Sequence, residues 1–123
     1  MSGDPRCVRD RDVTAFVAKD GSRVRELMHP RVHGNRAQSL AEATIAAGCT
    51  TRLHRHRCVE ELYYVLEGQG LMCVGAGEWV IGAGDTVLIP PGAPHKIRAL
   101  GTTDLRLLCV SAPAYSDDDT ELL

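Results

Sequence analysis

His54-Arg55-His56-Arg57-Cys58-Val59-Glu60-Glu61-Leu62-Tyr63-Tyr64-Val65-Leu66-Glu67-Gly68 is the stretch that decides how this chain folds. The run from Leu62 to Leu66 is apolar, aromatic and β-branched, and Gly68 closes it, which predicts a strand ending in a turn. Side chains of a strand alternate between its two faces. Tyr63 and Val65 are therefore expected to point inward with Glu61, and Tyr64 and Leu66 outward. The same rule sets His54 and His56 on one face and Arg55 on the other.

A second segment, Gly84-Asp85-Thr86-Val87-Leu88-Ile89-Pro90-Pro91-Gly92, leads to His95. Three imidazoles and one carboxylate can hold a divalent transition metal and leave coordination positions free for substrate, water or oxygen. Donors of this kind accept Fe, Mn, Ni, Co, Cu or Zn, so the sequence names the site and not the ion. Spacing supports reading the two segments together. Gly48, His54, His56, Glu61 and Gly68 form one motif, and Gly84, Pro90, Gly92 and His95 form another.

Together these motifs resemble the paired motifs of the cupin superfamily, over roughly residues 38 to 110. The resemblance implies a small antiparallel β-barrel, the double-stranded β-helix or jelly roll, with His54, His56, Glu61 and His95 as metal ligands. Glu60 competes with Glu61 for the carboxylate role, because some members use the shorter spacing. Glu61 is preferred because it directly precedes the Leu-Tyr-Tyr-Val-Leu-Glu-Gly run. Where the family often has asparagine, four residues after the last histidine, this chain has Ala99. That position is not a ligand, so the departure touches substrate detail only. Similar small cupins cleave rings or C–C bonds by dioxygenation, the first expectation here. The alternatives are non-redox lyase, isomerase or cyclase chemistry, or ligand binding without turnover.

Working outward, the chain reads as all-β. Short strands are expected near 39–46, 51–56, 60–66, 70–74, 79–81, 86–89, 94–99 and 104–111, separated by glycine turns. Residues 1–36 read as an arm with strands near 14–18 and 22–28, packed on the barrel or on a partner subunit. Residues 37–116 would be the barrel. Residues 117–123, with Asp117, Asp118, Asp119 and Glu121, read as an acidic tail, solvated or opening a short helix capped by Ser116. At 123 residues the chain supports one core.

Several candidates surround the metal ligands. Glu61 and Tyr63 could move protons. Arg52, on the face of His54, could clamp an anion or lie at the rim in water. Gln38 and Met72 are further candidates for contact with substrate, and Val74, Ile97 and Ala99 would complete an apolar wall. Trp79 reads as outer packing. Arg57, Lys96, Arg98 and Arg106 read as a solvated face, and His29 and His33 as ordinary surface or turn histidines.

The remaining composition bounds the partners. Fourteen Lys and Arg against 16 Asp and Glu give a net charge of −2, with no field for capturing nucleic acid. No apolar run reaches the ~20 residues of a membrane helix, so a cytoplasmic protein acting on a small molecule is expected. Five cysteines without a CxxC pair read as free thiols, Cys73 and Cys109 as small buried hydrophobes, and Cys58 as a loop residue outside the ligand set. Exposed sheet edges on so small a barrel lead to the expectation of a homodimer.

Overall fold

The computed structural model describes residues 6–123; the first five residues of the expected arm lie outside them. Among the described residues, a 3-10 turn at Asp10–Asp12 precedes eleven strands and one short α-helix. They are β1 (Ala15–Val17), β2 (Arg23–Met28), α1 (Pro30–His33), β3 (Ser39–Ile45), β4 (His54–His56) and β5 (Glu60–Glu67). Then come β6 (Gln69–Val74), β7 (Gly77–Gly82), β8 (Thr86–Ile89), β9 (His95–Leu100), β10 (Leu105–Ala112) and β11 (Thr120–Leu122).

The strands form two antiparallel sheets, ordered β1-β2-β3-β10-β5-β8 and β11-β4-β9-β6-β7. The jelly roll is thus made of two facing sheets whose ladders do not close into a continuous barrel. Alternation builds the core between them. Ala43, Ile45, Tyr63, Val65, Val87, Ile89, Leu105 and Leu107 point in from the six-stranded sheet, and Met72, Ile81, Ile97 and Ala99 from the other. Leu62 and Tyr64 point out and are partly exposed, as the period of two predicts.

Gly68 alone joins β5 to β6, and so carries the chain from one sheet to the other. Its φ is +86°, and a Cβ there would stand 2.6 Å from the Asp104 carbonyl oxygen. Only glycine fits such a corner. The expected strand over 51–56 is shorter in the structure, because residues 51–53 leave the ladder. Thr51 N–H donates instead to Ile97 O, and Arg52 N–H to Asp20 O.

The arm and the tail both join the sheets. β1 and β2 extend the six-stranded sheet through the β2–β3 pairing. The acidic tail is not frayed: β11 pairs with β4, setting Thr120 opposite His56 and Leu122 opposite His54. A tail that opens on three consecutive aspartates reads as solvated until an unpaired edge strand is available to take it. His29 also departs from expectation. It is buried, caps α1 by accepting from Arg31 N–H, and its Nε2 lies 2.7 Å from Tyr115 O.

Candidate metal centre

His54 and His56 stand on β4 with a burial pattern that alternates as their spacing requires. His95 opens β9, directly opposite His54 in the ladder. Glu61 arrives from the facing sheet, on β5, because the loop after His56 crosses between sheets and does not merely turn back. All four side chains are buried, with 5% of Glu61 and 1% of His95 exposed. The ring centroids of His54 and His95 lie 4.1 Å apart, and each lies 5.2 Å from that of His56.

Hydrogen bonding fixes which nitrogen of each ring faces inward. His54 Nδ1 lies 2.7 Å from Arg52 O, and His95 Nδ1 lies 3.0 Å from Ala93 O. A carbonyl only accepts, so both Nδ1 atoms carry the proton. His56 Nδ1 lies 2.9 Å from the Thr120 hydroxyl, whose own proton goes to Ser116 O at 2.9 Å. That hydroxyl is thereby left to accept from His56. All three rings therefore present a bare Nε2 to the same space, and each is braced from behind.

Glu61 Oε1 lies 3.1 Å from His56 Nε2 and 3.6 Å from His95 Nε2. Two buried lone-pair atoms at such a distance repel unless a second proton or a cation lies between them. His95 Nε2 is buried without a hydrogen-bond partner among the described residues. Ligands each about 2.1 Å from one ion stand ~3 Å apart, close to the 3.1 Å between Glu61 Oε1 and His56 Nε2. The three histidines have ligating atoms within 4.8 Å of one another. The donor set fits a divalent transition metal.

Without an ion, the charge facing Glu61 comes from protons on the rings. Burial pushes the Glu61 carboxyl up, but the facing rings of His56 and His95, when protonated, outweigh it and hold it at about 2. Burial first, and the neighbouring His95 second, hold His54 below the usual imidazole range. Ser111 Oγ donates to Glu61 Oε2 at 3.2 Å, fixing the carboxylate plane.

A cavity opens in front of these residues, lined in part by His54, His56, Glu61 and Tyr63. Tyr63 is buried with its ring 6.2 Å from that of His95, and burial, then Glu61, push its phenol well above its usual value. Cys109 also lines the cavity, while Cys58 is exposed; all five thiols are free.

The three residues expected to touch substrate lie elsewhere. Arg52 is exposed, and only its backbone serves the site, because the ladder breaks between it and His54. Gln38 is exposed, since the inward set of β3 begins at Ser39. Met72 has no exposed surface and packs in the apolar core. The residue that sequence reasoning missed is Asp20, in the β1–β2 turn. Its Oδ1 accepts from Ser22 N–H and Oγ, leaving Oδ2 3.9 Å from His54 Nε2. An Asp-Gly-Ser turn signals its own hydrogen bonding, but nothing local says that the turn folds over a distant histidine cluster.

The family model described as "Cupin domain" matches residues 41–111, more than half of the chain. The chain is a cupin. An uncharacterised protein of Methanocaldococcus jannaschii is 47% identical to this cupin over 111 residues, covering 90% of this chain and 89% of that one. An oxalate-binding protein of Thermotoga maritima is 34% identical over 86 residues, covering 70% and 67%. Among solved structures, a Streptomyces nucleoside dehydratase superposes with a TM-score of 0.76 at 17% identity, over 95% of this cupin and 89% of that chain. That last likeness is one of fold. No helix among the described residues is long and apolar enough to cross a membrane.

Proposed function

We propose that this cupin is a divalent-metal-dependent enzyme that eliminates or rearranges a small oxygen-rich molecule without redox change. The observation that carries the reading is a group of three back-braced histidines whose ligating atoms lie within 4.8 Å of one another, with Glu61 Oε1 3.1 Å from His56 Nε2 and 3.6 Å from His95 Nε2. His54, His56, His95 and Glu61 would hold the ion, which when bound supplies Lewis acidity to a coordinated substrate oxygen.

The chain's own residues supply the proton chemistry. Asp20 Oδ2 is the carboxylate oxygen left free beside the histidines, placed to take a proton from carbon and return it to the departing oxygen, which leaves as water. Tyr63 keeps its proton at neutral pH and serves as a hydrogen-bond donor that orients the substrate. Glu61, as a ligand, holds the ion and does not shuttle protons. A free carboxylate beside the metal favours this chemistry over the dioxygenation expected from the sequence, which needs no such base.

Metal analysis of protein purified without chelators, followed by turnover assays with and without oxygen, tests the proposal. Turnover that persists anaerobically and falls at least a hundredfold in Asp20→Asn is the expected result. Stoichiometric oxygen uptake would replace this reading with dioxygenation. Absence of metal from protein offered zinc, manganese and iron would defeat both.

A further inference from the structure

The cavity is more acidic than metal binding requires. Besides Glu61, its wall carries Asp20 and, from β2, Glu26, while none of its lining residues is lysine or arginine. Basic side chains nearby are engaged elsewhere. Arg25, next to Glu26 in sequence, points to the opposite face of β2 and pairs with Asp10 at 2.8 Å and Glu42 at 3.2 Å. Arg55 and Arg57 reach Glu121, and Lys19 Nζ donates to the backbone oxygens of Asp117 and Thr120. Among the described residues, no lysine or arginine lines the cavity to face an anionic ligand.

Glu26 stands out within this wall. Its Oε2 is buried and has no hydrogen-bond partner among the described residues. Burial raises its carboxyl above the usual range, with His29 opposing. Across the ladder it meets Ala41, and Ser22, Ser39 and Ala43 line the same cavity, so small side chains leave room before the carboxyl group. Glu26 lines the cavity wall, and a buried acceptor without a partner there is completed by a donor that enters with the ligand.

We infer that the cavity selects uncharged, polyhydroxylated substrates and rejects dicarboxylates, with Glu26 accepting a hydrogen bond from a substrate hydroxyl away from the metal ligands. This rests on the metal-dependent reading above. One divalent ion against three carboxylates leaves the cavity a single negative charge. A neutral polyol leaves that balance untouched, whereas a dianion such as oxalate adds two charges in a space of reduced dielectric. Specificity here comes from repulsion as much as from attraction.

The test is calorimetric titration of the zinc-loaded protein with D-ribose, myo-inositol and uridine, and separately with oxalate and malonate. At least one polyhydroxylated probe is expected to bind about tenfold more tightly than either diacid. Glu26→Ala should weaken that probe about tenfold, Glu26→Gln less, because its amide oxygen still accepts. Glu26→Lys should reverse the order in favour of oxalate. Tighter binding of a diacid than of every polyol to the native protein would overturn the inference, as would failure of all three polyols to bind, or their indifference to Glu26→Ala. The native preference needs no variant, so a variant that fails to fold leaves the test intact. A chain that takes up no zinc refutes the metal reading; one that takes zinc and prefers diacids refutes only this one.

Discussion

Replacing Thr120 by valine tests the proposal that the C-terminal strand sets the protonation of a candidate metal ligand, His56. The Thr120 hydroxyl accepts from His56 Nδ1 at 2.9 Å and donates to Ser116 O at 2.9 Å. Valine keeps the shape and removes both contacts. Two consequences separate in magnitude. In the metal-free protein the His56 proton can move to Nε2, where Glu61 Oε1 waits 3.1 Å away, so part of the loss is recovered. The net cost is then about 1–2 kcal/mol, a fall of roughly 4–8 °C in Tm. In the metal-bound protein that recovery is closed, because Nε2 must stay bare. Metal affinity should therefore fall a further 10- to 100-fold. Competition titration with a chromophoric chelator, run beside thermal melts of chelator-treated and zinc-loaded protein, reads both quantities. Thr120→Ser should restore affinity. If the valine variant binds zinc within twofold of the native protein, the tautomer argument fails, whatever happens to Tm.

Two further outcomes follow from the same geometry. Asp119 accepts from Cys58 N–H at 2.9 Å and Val59 N–H at 3.0 Å, pinning the crossing that carries Glu61 to the facing sheet; Asp119→Ala should cost about 1–2 kcal/mol of stability and weaken zinc binding severalfold, and an unchanged zinc affinity would show that the crossing holds itself. His54 lies below its ordinary value of 6.5 because folding buries it and sets it beside His95, so the unfolded chain takes up a proton that the folded chain refuses. Its stabilising contribution is complete above that ordinary value and is lost as pH falls below it toward the folded value. Metal-free protein should accordingly melt at lower temperature at pH 5.5 than at pH 7.5, with a shallower slope in His54→Asn; a flat profile in the native protein would contradict the assignment.

Much of this was legible along the chain, and the reason lies in periodicity. Alternation within Glu61–Val65 placed Tyr63 inside and Tyr64 outside, and the same rule put His54 and His56 together. The glycine corner at Gly68 announced itself as a turn. Alternation failed as a guide where the ladder lapses. Thr51 is buried and Arg52 exposed because residues 51–53 follow hydrogen bonds to β9 and to the Asp20 turn, so Arg52 lost the face it was expected to share with His54.

The sequence by itself determined the strand pattern and the family and singled out His54, His56, Glu61 and His95, because these rest on motif spacing that the backbone repeat converts into position. Only the tertiary structure decided what stands around them. Asp20, Glu26 and Thr120 come from a hairpin turn, an early strand and the last strand. Their convergence depends on which edges pair and which loops cross, and these are contacts between residues distant in the chain that no local periodicity encodes.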